Sequence, residues 1–203
     1  MQLSPRILES RIWEEPAFTF VKGCRICIHA ESGSGKSSLL SFIFGSRSDY
    51  NGTIYFDKED IRSFSIKKWC EIRKLAISLL PQELRLFNEL TAIENILLKN
   101  NLTNYKTHKE IEEYFEILGI PDKMNQPASK LSIGQQQRVA IIRALCQPFD
   151  FIFLDEPVSH LDEDNNKTVA SLIEREAQKT GAGIISTSVG NHLLITDPTF
   201  VKL

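Results

Sequence analysis

The run Arg25-Ile26-Cys27-Ile28, followed by Ala30-Glu31-Ser32-Gly33-Ser34-Gly35-Lys36-Ser37, leaves this chain few folds to choose from. An apolar, strand-like segment stops, two glycines turn the backbone, and Lys36 to Phe44 is apolar on one helical face until Gly45. Glycine lets several backbone N–H groups turn toward one point, and the helix that follows adds its positive end. Such a loop wraps clustered anionic oxygens. Lys36 is placed to reach outer phosphates and Ser37 to ligate Mg2+, with Ser32, Gly33, Ser34, Gly35 and Ser38 completing the phosphate-contacting set. Ala30 replaces the glycine that usually opens such a loop, a change that is harmless if its φ is negative.

Strand and helix patterns then alternate. Phe18-Thr19-Phe20-Val21 and Arg25 to Ile28 read as a hairpin through Lys22-Gly23, and Thr53 to Phe56 as a short strand after Asn51-Gly52. Leu75 to Leu80 is a buried-type strand halted by Pro81. Thr91-Ala92-Ile93-Glu94, Thr107-His108-Lys109-Glu110 and Ser132-Ile133-Gly134-Gln135 are three capping boxes, each opening a helix. Phe151 to Leu154 and Gly183 to Thr187 are further core strands, separated by a helix that Asp162 caps and Gly181 ends. The expected fold is α/β: a P-loop nucleotide-triphosphatase core with a mostly parallel sheet, a small antiparallel β part and an inserted helical subdomain. One domain over 1–203 is expected, its core at about 1–80 and 148–203 and its helical subdomain at about 81–147.

Lys and Arg total 24 against 26 Asp and Glu, a net charge of −2, so no nucleic-acid partner is expected. No apolar run approaches the roughly 20 residues of a spanning helix. Met1 to Arg6 lacks the apolar core of a signal peptide. The reading is a cytoplasmic chain that relies on another polypeptide for any membrane passage. Cys24 and Cys27 form a CxxC, but their odd spacing on a strand sends the thiols to opposite faces. Cys70 and Cys146 stand alone, so all four are read as reduced and no metal site is expected of them.

The strand Phe151-Ile152-Phe153-Leu154 delivers Asp155 and Glu156 to its carboxyl end, the edge where α/β sheets bind ligands. Asp155 suits a Mg2+ ligand, and Glu156 a group that orients an attacking water. Between loop and acids lies Leu131-Ser132-Ile133-Gly134-Gln135-Gln136-Gln137-Arg138, continuing as Val139 to Leu145. With these three motifs in this order, nearly the whole chain resembles the ATP-binding subunit of ABC (ATP-binding cassette) transporters. Leu86 to Ile96 looks most like the macrolide-exporter and lipoprotein-releasing branch.

That resemblance implies a head-to-tail homodimer binding ATP and Mg2+. The phosphate loop of one copy faces Ser132, Gly134 and Gln135 of the other, and Ile133 departs from the family's usual glycine. It further implies that Gln82 senses Mg2+ and the γ-phosphate, and that Glu83 to Leu90 docks a separate transmembrane permease. The subunit would then be peripheral on the cytoplasmic face of the inner or plasma membrane. Ser159-His160-Leu161-Asp162 resembles the loop that links the two sites. An N-terminal aromatic stacks adenine in the family; Trp13 is the candidate here, and a core tryptophan is the alternative. After Thr187 the family places a histidine against the γ-phosphate. Here Ser188 stands there, and His192 substitutes only if its loop bends back. The implied activity is ATP hydrolysis driving transport. A slowly hydrolysing or non-hydrolysing nucleotide-gated clamp, or a non-transport ABC ATPase, is the alternative.

Overall fold

A computed structural model describes Ile12 and residues 18–203, and the account below concerns those residues. Five strands form one sheet: β1 (Arg25–His29), β4 (Ile77–Leu80), β5 (Phe151–Asp155), β6 (Gly183–Ser188) and β7 (Thr199–Lys202). Their order is β4-β5-β6-β1-β7, and every neighbouring pair is parallel. β5 and β6 lie inside the sheet and are buried almost throughout, which explains the apolar run Phe151 to Leu154, while β6 follows Ile184 and Ile185 with buried Ser186, Thr187 and Ser188.

Each face of the sheet carries its own core. On one side α1 (Lys36–Ile43) and α2 (Ile66–Leu75) cover Ile26, Ile28, Phe153, Ile185 and Val201. On the other, α3 (Ala92–Asn100), α4 (His108–Ile117), α5 (Ile133–Leu145) and α6 (Glu163–Thr180) enclose Ile152, Leu154 and Ile184. Ile141, Ile142 and Ile152 are fully buried; each such side chain contributes about 1.5–3 kcal/mol from leaving water. Between β4 and β5 the described residues form helices and turns only, apart from one isolated bridge between Thr91 and Pro127.

The caps read from sequence are formed. Thr91, Thr107 and Ser132 each accept from the N3 amide while the N3 side chain accepts from the cap's own N–H. Asp162 caps α6, which Gly181 ends at φ 67°. Three details differ from the sequence reading. Phe18 to Val21 is not a strand, so the expected hairpin is absent; Cys24 N–H instead closes a tight turn onto the Val21 carbonyl (3.0 Å). The antiparallel part comes from β2 (Tyr55–Phe56) and β3 (Glu59–Asp60). Leu75 ends α2, and β4 begins only at Ile77.

Candidate active site

The phosphate loop leaves the carboxyl end of β1 and curls over its own lysine. Gly33 (φ 78°) and Gly35 (φ 104°) occupy left-handed backbone, which side chains resist and glycine does not. Ala30 is not among the residues of positive φ, so its methyl group costs nothing there. Lys36 is buried, and its Nζ donates to the carbonyls of Ala30 (3.1 Å) and Glu31 (2.9 Å). Ser37 is exposed, Ser32 and Gly33 are exposed, and Ser38 Oγ accepts from Arg47 Nη1 (2.9 Å).

The acidic pair meets this loop. Lys36 Nζ lies 3.8 Å from Glu156 Oε1. Asp155 is buried at the end of β5, and its Oδ1 accepts from Thr187 Oγ1 (2.7 Å) on the adjacent β6. The same hydroxyl accepts from the Glu156 N–H (3.2 Å). Thr187 therefore ties both acids to the strand beside them. Glu156 itself sits at φ 50°, a conformation that an extended side chain adopts only when its surroundings hold it there.

The tip of α5 is assembled differently. Ser132 N–H donates to Gln135 Oε1 (2.9 Å) and Gln135 N–H to Ser132 Oγ (3.3 Å), with Ser132 and Ile133 exposed. A Cβ on Gly134 would lie 3.1 Å from the His160 carbonyl oxygen. Close packing on the 159–162 loop thus favours glycine at 134, where a larger residue must push that loop back by a few tenths of an ångström, whereas position 133 faces solvent and accepts isoleucine. One turn along, buried Gln137 donates through Nε2 to the Glu156 carbonyl (3.1 Å) and Ser159 Oγ (3.4 Å), and its Oε1 accepts from His160 N–H (3.2 Å). The sequence reading assigned Gln137 no role, although it sits one helical turn after Gly134 on the face toward that loop. His160 is exposed, as a surface residue should be.

Gln82 is exposed in the turn after β4, at the same sheet edge. The segment behind it is held by α5 and α3. Arg143 donates to the Leu84 and Arg85 carbonyls, and the Asn95 side chain brackets both the N–H (2.8 Å) and the carbonyl (3.0 Å) of Phe87. Leu84 (φ 56°) and Arg85 (φ 48°) are both left-handed, so this loop stores strain that Arg143 helps to hold.

Ser188 ends β6 fully buried. Its Oγ lies 3.4 Å from His29 Nδ1 and 3.7 Å from Cys27 Sγ. His192 does not bend back toward the loop. Its ring rests edge-on against Phe200 of β7 (5.2 Å), and its carbonyl is held by Asn166. Trp13 lies outside the described residues.

Nucleotide and metal are tested by the donors present. Ser34 Oγ is buried in the loop without a hydrogen-bond partner, a donor suited to a phosphate oxygen. Asp155, Glu156 and Ser37 offer oxygen only. Among the described residues no cluster of three His, Cys, Asp or Glu could cage a metal alone. A hard cation that completes its shell with phosphates and water, as Mg2+ does, suits that set. Among the described residues no helix is long and apolar enough to cross a membrane.

Comparisons with known proteins agree with this geometry. A family model described as ABC transporter matches residues 14–159. The chain is 36% identical to the lipoprotein-releasing system ATP-binding protein LolD of Leptospira interrogans, over 80% of this chain and 70% of that one. It is similar to a solved dimeric structure of MJ0796, a bacterial ABC transporter cassette, with TM-score 0.75 and 26% identity, covering 84% of this chain and 77% of that one. A post-hydrolysis dimer of the same cassette, bound to ADP and Pi, matches with TM-score 0.74 and 26% identity over 86% and 78% of the two chains.

Proposed function

This chain belongs to the ABC transporter family as an ATP-hydrolysing, ATP-binding subunit, and on that premise we propose how its residues divide the work. Lys36 exchanges the Ala30 and Glu31 carbonyls for the outer phosphates of ATP, while Ser32, Gly33, Ser34, Gly35 and Ser38 line the rest of the triphosphate. Ser37 and Asp155 hold Mg2+, and Gln82 reads it from the β4 side. A Mg2+ ion held there would supply positive charge to the triphosphate. Glu156, fixed by Thr187 and Gln137, orients and polarises the attacking water. Trp13 is the proposed adenine platform.

The second half of each site comes from a second copy. Ser132, Gly134 and Gln135 present the amino end of α5 to the γ-phosphate of the partner's nucleotide. A separate permease docks on the segment after Gln82. Phe87 there is 56% exposed, and Leu98 and Leu102 on and after α3 add further uncovered apolar surface. This makes the chain a peripheral subunit on the cytoplasmic side of a membrane. Residues about 81–147 form the subdomain that transmits movement between nucleotide and permease. Several relatives are named lipoprotein-releasing system ATP-binding proteins, and a lipid-modified protein is the proposed cargo class.

The observation that carries this reading is the meeting of Lys36 and Glu156 at 3.8 Å beside buried Asp155. Glu156→Gln keeps the nucleotide site and removes the water-activating carboxylate. With saturating MgATP it is expected to elute as a dimer by size-exclusion light scattering, and Lys36→Ala to lose tight MgATP binding by calorimetry. Only monomer in the first experiment, or unchanged affinity in the second, overturns the corresponding assignment.

A further inference from the structure

Ser188 stands at the phosphate edge of β6 and carries no charge, yet a histidine lies directly beside it on the next strand. His29 is the last residue of β1, in register with Ser188, and precedes the phosphate loop. Ile26 and Ile28 belong to the core under α1 and α2, so alternation turns Cys27 and His29 to the other face, where Ser188 Oγ meets both. The next residue, Ala30, donates its N–H to the Ser188 carbonyl (3.2 Å), and its own carbonyl accepts from Lys36 (3.1 Å). His29 is thus one residue from the group that now holds the phosphate-seeking lysine. Along this edge, Asp155 pairs in register with Thr187, and Ser188 with His29.

The contact also orients the ring. Ser188 is 1% exposed and His29 is exposed. When the Ser188 hydroxyl is the donor to Nδ1, the imidazole proton sits on Nε2, the ring nitrogen away from Ser188. Lys202 of β7 is the register partner of His29 on its other flank, on the same face, and adds a positive charge there.

We propose that His29 is a catalytic residue. Its Nε2–H contacts the terminal phosphate, and Ser188 is the positioning residue that sets its tautomer and orientation. The inference rests on the proposed function above, because it requires ATP in the phosphate loop.

The test is steady-state phosphate release by the full chain with MgATP, alongside calorimetric MgATP affinity and a thermal midpoint to verify folding. His29→Ala is expected to lower kcat at least about tenfold, with KM within about twofold, as when one preorganised donor to developing charge is removed. Ser188→Ala should give a smaller loss of the same kind. The double variant His29→Val with Ser188→His places the imidazole across the register pair on β6 and should recover turnover. Hydrolysis at the unsubstituted rate in His29→Ala overturns this inference alone. So does a double variant that folds but stays as slow as His29→Ala. If the unsubstituted chain releases no phosphate, the proposed function fails first and the inference falls with it.

Discussion

Thr187 shows how one side chain serves two acids. It donates to Asp155 at 2.7 Å and accepts from the Glu156 amide at 3.2 Å, so it fixes both the carboxylate and the turn that carries its neighbour. Thr187→Val keeps the shape and loses both bonds. We expect kcat to fall about 10- to 100-fold, the usual cost of removing an outer support of a catalytic group, with Thr187→Ser close to unsubstituted activity. An unchanged kcat in Thr187→Val would show that the acids hold their own positions. Residues of this kind mark the limit of sequence reading. Lys36, Asp155 and Glu156 were legible because loop and strand-end chemistry require those residue types at those places. Thr187 and Gln137 were not, because their partners lie on other elements (Gln137 and the Glu156 carbonyl are 3.1 Å apart in space but belong to a helix and a distant turn). No local spacing announces such a contact.

Among elements, those with chemical punctuation were legible. Three capping boxes, the Asp162 cap and the Gly181 stop gave their helices boundaries through bonds made within four residues. Strand partners obeyed no such local rule: Phe18 to Val21 has strand composition but no ladder, and β7 was not foreseen at all. α2 was also missed, although Ser65 caps it by accepting from Lys68 N–H. The link between the helical segment and the core is likewise nonlocal. Lys106, in the α3–α4 connection, is buried against Glu176 of α6 at 2.7 Å. Burial pushes the Glu176 carboxyl up, but hydrogen bonds from Lys106 and Lys179 outweigh it and hold the group at about 2. Its folded value is depressed, so its stabilising contribution is complete above the ordinary carboxylate range. That contribution is lost as pH falls from there toward 2. Lys106→Met removes one of three cations from a buried acid that Arg175 and Lys179 still reach, and is expected to cost about 2 kcal/mol at neutral pH in urea unfolding. Glu176→Gln should flatten the acid dependence of the urea midpoint between pH 5 and pH 3, in the window set by that shift. A Lys106→Met midpoint equal to the parent's would mean that the pair contributes nothing net.

For the whole molecule the decisive question is whether one copy can complete a site. Lys36 and Ser132 belong to opposite halves of the proposed composite site, so each can be disabled separately. Lys36→Ala removes the phosphate lysine, and Ser132→Arg blocks the tip of α5. Each alone is expected to be inactive in phosphate release. Mixed together they form heterodimers in which one of the two sites is intact, and part of the turnover should return. Persistent inactivity of the mixture, with heterodimers demonstrated by crosslinking, would exclude the head-to-tail arrangement. The sheet order has one more outcome. β1, which launches the phosphate loop, has its two neighbours in residues 183–188 and 199–202. A ribosome makes those flanks some 150 residues after β1, so through that interval the nascent phosphate loop hangs on a strand without its sheet neighbours. Until translation passes Lys202, both edges of that strand stay open to wrong partners.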